Sequence, residues 1–273
     1  MRWSGNSALP DERRSGRAYT AGMALPVVLV TGLSGLIGTA LRQHLGTGVC
    51  DLRGLSRRGV PEATSYRADI ADLDALAPLF VGVDVVLHLA AAVGSPPFET
   101  VLRDNIVGTY NVFEAARRAG VSRVIFASSG AVVSGYEQEP GFAALVAGRY
   151  AELASIPVLT HESPLHPSGL YGASKVWGEA LGRHYADAHG LSVICVRIGR
   201  VNREDRPGSP REFAVWCSQR DIARFLERCI TAPPTVRFDT FFVTSSNRWG
   251  YRDLAHARDV LGWEPIDRAE DYR

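Results

Sequence analysis

A tyrosine and a lysine four residues apart, Tyr171 and Lys175 in LYGASKVWGEALGRHY (170 to 185), are the side chains best placed by type and spacing to do chemistry. A spacing of four on a helix projects both from one face. A phenol with its ordinary pKa near ~10 is a poor acid or base at neutral pH, and a neighbouring ammonium stabilises its phenolate and brings that pKa towards working range. In an average protein such a pair is simply an exposed feature of an amphipathic helix. Here Lys175 is the one lysine of a 273-residue chain that uses 29 arginines. A guanidinium serves wherever surface charge is wanted, so a compact ammonium retained here answers a different need.

A second motif could hold the partner for such chemistry. The run Gly32-Leu33-Ser34-Gly35-Leu36-Ile37-Gly38 is a G-x-x-G-x-x-G that follows PVVLVTG (26 to 32), a short continuous apolar run. Missing Cβ atoms permit a tight turn and close approach of a pyrophosphate, while the following helix offers its N-terminal N–H groups and positive dipole end. Alone the pattern is weak; its place after a buried strand at the start of an alternating chain makes it specific. The next strand ends Leu55-Ser56-Arg57-Arg58, with two guanidiniums where an NAD reader carries a carboxylate for the ribose hydroxyl. That favours NADP(H) over NAD, since a 2′-phosphate is better met by arginine; two ordinary arginines of a surface loop are the competing reading. Asp69-Ile70 can lie near the adenine, and Asp69 also suits the start of a helix.

The elements that must position these groups follow from periodicity. Strands are expected at 26–32, 49–56, 83–91, 121–129, 191–199 and 236–244, and helices at 36–46, 72–80, 99–119, 170–189, 219–231 and 251–261. Continuous apolar strands alternating with helices imply a parallel sheet covered on both faces, a doubly wound α/β fold of the Rossmann type. Residues 23–273 read as one such domain, with a small C-terminal substrate-binding part. The interruption at 134–169, with PGFAALVAGRYAEL as a short helix, and residues 200–273 would shape the substrate site. Residues 1–22 are polar and rich in Gly, Ser and Arg, lack the apolar core of a signal peptide, and read as a flexible extension, with Met23 as an alternative start.

Composition narrows the partners. Thirty basic and 29 acidic residues give no electrostatic footprint for nucleic acid. No apolar run approaches the ~18 residues of a membrane helix. Cys50, Cys195, Cys217 and Cys229 fit no metal-binding spacing and read as reduced thiols of a cytoplasmic protein, so no metal is expected.

Taken together, the glycine loop, His88-Leu89-Ala90-Ala91, Asn105, FASSG and Tyr171-x-x-x-Lys175 resemble the extended short-chain dehydrogenase/reductase superfamily, the NAD-dependent epimerase/dehydratase family. The likeness runs over nearly all of residues 26 to 265. It implies an enzyme in which Tyr171 is the acid/base, Lys175 also holds the nicotinamide ribose, and Ser129 positions the substrate oxygen, with Ser128 as second candidate. Asn105 would order the site, Leu89, Ala90, Ala91 and Ile198 would line the cofactor, and two copies would pair as a homodimer. Dehydratases of the family usually carry an acidic pair after the serine; Gly130-Ala131 follow here, which argues against elimination. Only 74 residues follow Gly199, too few to hold a nucleotide handle besides completing the core.

Within the family, PFETVLRDNIVGTYNVFEAARRAG, GLYGASKVWGE, VRIG and REFAVWCSQRD are similar to bacterial uronate dehydrogenases, which oxidise a free hexuronate at its anomeric carbon. That likeness implies Arg211 as the clamp on a substrate carboxylate; a loop arginine among many is the rival. Two departures stand out: Gly130-Ala131 replace Asn-His, and Val93 replaces a hydroxyl residue. Both imply a substrate less polar than a hexuronate. The resulting expectation is an NAD(P)-dependent oxidoreductase acting on a small hydroxyl or carbonyl compound. A sugar epimerase with tightly bound NAD and a non-catalytic dinucleotide-binding regulator are the alternatives.

Overall fold

Seven strands form one parallel sheet in the computed structural model of the chain, which describes residues 25–46, 48–60 and 63–272. The N-terminal extension expected at 1–22 lies outside the described residues. The strands are β1 (Val27–Thr31), β2 (Asp51–Ser56), β3 (Thr64–Arg67), β4 (Val85–His88), β5 (Arg123–Ser129), β6 (Ser192–Ile198) and β7 (Phe238–Val243), in spatial order β3-β2-β1-β4-β5-β6-β7. Every neighbouring pair runs parallel, so each return must cross a face of the sheet. Helices α1 (Leu36–Leu45), α2 (Leu73–Leu76), α3 (Phe98–Thr100), α4 (Gly108–Ala119), α5 (Phe142–Val146), α6 (Leu170–His189), α7 (Glu212–Val215), α8 (Gln219–Ile230) and α9 (Ala255–Leu261) supply those returns or flank them. The expected doubly wound Rossmann-type fold is what forms.

Strand order reverses between β1 and β4, and a crevice opens there at the carboxyl ends of the strands. Two apolar layers hold the sheet. On one face Val28, Val30, Val85, Ile125, Ile194 and Phe241 pack with Leu41, Phe225 and Leu226 of α1 and α8. On the other, Leu29, Val86, Val124 and Val193 pack with Val112, Phe113 and Tyr185 of α4 and α6. A third, smaller cluster joins the interruption to the C-terminal part through Val132, Val133, Phe142, Leu145, Val215, Phe242 and Tyr251.

Four differences from the sequence expectation have physical causes. Strand β3 was not foreseen: it is a four-residue edge strand with a half-exposed, polar TSYR sequence, and an edge needs no continuous apolar run. The helix expected at 72–80 gives one α turn and then a 3-10 turn at Ala77–Phe80, where Pro78 lacks an amide hydrogen. The long helix at 99–119 opens into π geometry over Val101–Val107. The last helix begins only at Ala255, because Tyr251 and Asp253 are bonded to Leu159 on either side of Arg252 (Leu159 N to Tyr251 O 2.7 Å, Asp253 N to Leu159 O 2.8 Å).

Candidate active site

The nucleotide end is built from backbone. Gly32 has φ +76°, and a Cβ there would lie 2.9 Å from the Ala90 nitrogen, so only glycine lets the loop leave β1 so close to the end of β4. Helix α1 starts at Gly35 with no side-chain cap and no acidic residue in its first turn. Its N–H groups and positive end are therefore open to an anion. A cleft of about 590 Å³ runs from this point past Gly32, Ser34, Ser56, Arg57, Arg58, Asp69, Ile70, Leu89, Ala90 and Ala91. These features fit a dinucleotide. Gly38, Leu36 and Ile37 lie within α1 behind the turn, with Gly38 buried and Ile37 packed on the core, so their share in the cradle is shape.

At the far end of that cleft the charges are paired. Arg57 is 71% exposed and lies 3.8 Å from Asp104. Arg103 bridges Asp104 and Asp69, and Asp69 also accepts from the Ala71 amide. Burial raises the Asp69 pKa, but the Ala71 amide and Arg103 outweigh it and hold the carboxyl below its usual range. The Ser56 hydroxyl donates to the Arg58 carbonyl, tying the two arginines' turn to the end of β2. Arg103 and Asp104 were not singled out in the sequence; a charged pair on a helix carries no signal until the fold brings it to β2.

The chemical end is built from side chains. Successive residues of a strand point to opposite faces, and at the end of β5 this separates Ser128 from Ser129. Ser128 is buried and donates to Glu179 Oε1 (2.6 Å), which with Oε2 holds Arg197 in a buried ion pair (both 2.9 Å). Ser128 thus lies on the α6 face with Phe126, whereas Ser129, at the very end of the strand, lies beside Tyr171 and its hydroxyl accepts from the Ala131 amide (3.1 Å). The approach is possible because the next helical residue is Gly172, where a Cβ would lie 2.6 Å from the Ala131 carbonyl. Ile198 sits beside Ser129 in the β5–β6 register.

Lys175 is 3% exposed, with its Nζ 4.9 Å from the Phe126 ring centroid and 5.7 Å from that of Tyr171. Burial without a carboxylate lowers its pKa to about 7. Burial also raises the Tyr171 pKa, an effect that the Ser129 hydrogen bond only partly offsets. The ammonium is thus not what sets the phenol: Nζ lies over aromatic faces, and desolvation dominates both groups.

Asn105 lies in the π turn, fully enclosed. Its Oδ1 accepts from the Ala92 amide (2.8 Å), and its Nδ2 donates to the Ala92 carbonyl (3.0 Å) and to Ser174 Oγ (3.0 Å). It therefore clamps the loop after β4 to the helix turn that carries Lys175, as a positioning residue. The π geometry is what turns it inward. His88 is a satisfied core histidine between Thr31 (2.7 Å) and Thr109 (3.1 Å), and burial drives its pKa to about 3, so it is neutral and not an acid/base.

A smaller cavity of about 330 Å³ opens in front of Tyr171, between Gly94–Pro96, Ala131, Ser134 and Ser168–Gly172. Val93 beside it is 70% exposed. Two expected substrate residues are placed otherwise than the sequence suggested. Arg211 is already engaged, its Nε and Nη2 donating to the two oxygens of Glu137 (2.5 and 2.7 Å), a carboxylate contributed by the interruption. Gly130 does not leave its surroundings apolar, because the Arg252 guanidinium occupies the space a side chain there would fill. Glu137, Tyr251 and Arg252 escaped sequence reasoning, as they come from segments with no motif. Burial keeps the thiols unreactive: Cys50 is pushed up to about 11, and Cys195, Cys217 and Cys229 are also raised.

Comparison with known proteins places this geometry. Residues 28–261 match the model of the NAD dependent epimerase/dehydratase family. The chain is 35% identical to an NAD-dependent glucose-6-phosphate dehydrogenase of Haloferax volcanii, over 90% of this chain and 95% of that one. It is 34% identical to a uronate dehydrogenase of Agrobacterium fabrum, over 90% and 86% respectively. Among solved structures, a mutant uronate dehydrogenase of Agrobacterium tumefaciens in complex with NAD superposes with a TM-score of 0.78 at 32% identity, covering 92% of this chain and 88% of that one.

Proposed function

The chain belongs to the NAD dependent epimerase/dehydratase family and is a nicotinamide-dependent oxidoreductase; we propose that it oxidises a free sugar or sugar derivative at a hydroxyl carbon, in a site completed by the 134–169 and 200–273 segments. The observation that carries this reading is Tyr171, with Ser129 beside it, lining a cavity of about 330 Å³. That volume is at the small end of ligand sites and suits a single sugar ring without a nucleotide.

In the oxidation direction Ser129 orients the substrate hydroxyl and Tyr171 takes its proton, while Lys175 holds the phenolate and the ribose edge of the cofactor site. The nicotinamide, when bound, supplies the hydride acceptor. Reduction reverses each proton movement. Gly32, Ser34, Gly35 and the start of α1 hold the pyrophosphate; Asp69 and Ile70 border the adenine. Arg57 and Arg58 favour NADP(H), with NAD also accepted. The four unreactive thiols suit the cytoplasm. The exposed Phe98, Leu102 and Tyr110, at intervals of four and eight along α3 to α4, suit pairing of two copies.

A panel of aldoses, uronates and sugar phosphates, each with NAD and NADP and followed by absorbance of the reduced nicotinamide, tests the reading. Steady reduction with at least one sugar is expected. Isomerisation without net absorbance change would replace it with an epimerase, and cofactor binding without turnover of any compound would replace it with a regulator.

A further inference from the structure

Two guanidiniums meet where the interruption packs on the C-terminal part, Arg252 against Gly130 next to Ser129, and one carboxylate serves them. Arg211 takes both oxygens of Glu137, and Tyr251 Oη donates to Glu137 Oε1 (2.7 Å). Burial raises the Glu137 pKa, but Arg211, Tyr251 and the nearby Arg252 together hold the carboxyl below its usual range, so it stays ionised and neutralises Arg211. Arg252 is left over. It is 6% exposed, yet its hydrogen bonds are two long ones from Nη2, to the Gly130 carbonyl and to Tyr251 Oη (3.4 Å each). Nε and Nη1 are buried with no hydrogen-bond partner among the described residues.

A buried guanidinium without a counter-ion is costly, because its desolvation is not repaid. This chain has built a place for one. The Arg252 guanidinium packs over the rings of Tyr251 (5.2 Å) and Phe242 (5.9 Å), and its backbone is pinned between the two bonds to Leu159. Its head lies against Gly130, the residue after Ser129, where any Cβ would collide with it. The glycine that removes a polar side chain from the site thus admits a cation in its place, one residue from the group that orients the substrate oxygen.

We propose that Arg252 is the specificity-determining residue that reads an anionic oxygen group, a carboxylate or a phosphate, on the sugar substrate. Arg211, self-neutralised by Glu137, then serves to anchor Tyr251 and through it Arg252. The proposal rests on the reading of the site as a sugar dehydrogenase. It corrects the expectation drawn from Gly130 that the substrate is less polar than a hexuronate.

The test compares wild type with Arg252→Gln and Arg252→Lys on D-glucuronate, D-glucose 6-phosphate and uncharged D-glucose. Turnover and, separately, equilibrium binding in the presence of NAD are both measured. One anionic sugar is expected to exceed glucose by about 100-fold in kcat/KM, and which one identifies the carboxylate or the phosphate. Arg252→Gln should remove most of that preference by raising KM for the anionic sugar far more than for glucose, with Arg252→Lys intermediate. A wild type that prefers glucose, or an equal loss on charged and uncharged sugars, overturns the proposal. If no sugar is turned over, the dehydrogenase reading fails, and the binding arm still decides: anion binding lost in Arg252→Gln upholds the assignment, and unchanged or absent anion binding refutes it. Should Arg252→Gln not fold, the same comparison is read from Arg252→Lys, where retention of the full preference refutes it.

Discussion

The two ends of the crevice handle positive charge in opposite ways. At the nucleotide end Arg57 and Arg103 are exposed and share Asp69 and Asp104, an arrangement that water and salt screen. At the substrate end Lys175 and Arg252 are buried, and neither has a carboxylate partner among the described residues. Exposed, paired arginines are what an arginine-rich chain yields anywhere on its surface, and their loss costs little. A buried cation whose desolvation is not repaid by a carboxylate is costly, and Lys175 and Arg252 lie within a helical turn or a residue of Tyr171 and Ser129.

The sharpest way to break this contrast is at the group the buried charge serves. Tyr171→Phe is expected to lower kcat by about 10³-fold or more while leaving dinucleotide binding within about 2-fold. Stopped-flow turnover and fluorescence titration of the reduced cofactor read the two effects, and substantial remaining activity would exclude the phenol as the proton-transfer group.

Next in size is the stability signature of Lys175. Its folded pKa of about 7 lies below the ordinary 10.5, so between those values the unfolded chain binds the extra proton. Stability therefore rises with pH across that window, and below pH 7 the burial penalty is present in full. Lys175→Met removes the term, so its stability advantage over wild type in urea unfolding should shrink steadily from pH 7 to pH 10. Parallel pH profiles for the two proteins would show that the lysine is not desolvated as described.

The smallest effect belongs to the exposed end. Arg57→Ala is expected to raise KM for NADP by roughly 5- to 10-fold and to leave that for NAD nearly unchanged, since only a 2′-phosphate would engage the guanidinium. An equal change for both cofactors would reduce Arg57 to a surface arginine.

How much of this was legible beforehand differs between the two ends for the same reason. The glycine turn, β2 and the Tyr171–Lys175 spacing are local patterns, in which residues a few positions apart determine the geometry, and each lies where its spacing predicts. β3 was missed because a short polar edge strand carries no periodicity. The choice of Ser129 over Ser128 needed the partners each meets in space: Ser128 is taken up by Glu179, while Gly172 lets the start of α6 close on the Ala131 carbonyl 41 residues away, beside Ser129. Glu137, Arg211, Tyr251 and Arg252 span 115 positions and share no motif, so only the packing of the interruption against the C-terminal part could pair them.

The sequence by itself determined the doubly wound sheet, the glycine turn after β1 and the placing of Tyr171 and Lys175 on one helix, because apolar periodicity, missing Cβ atoms and helical spacing act over a few residues. Tertiary structure alone decided which guanidinium is neutralised and which is left bare, because burial and charge pairing depend on every neighbour in space. That decision turns an apparently apolar Gly130 into the seat of a cation, and the anion selectivity proposed for Arg252 rests on it.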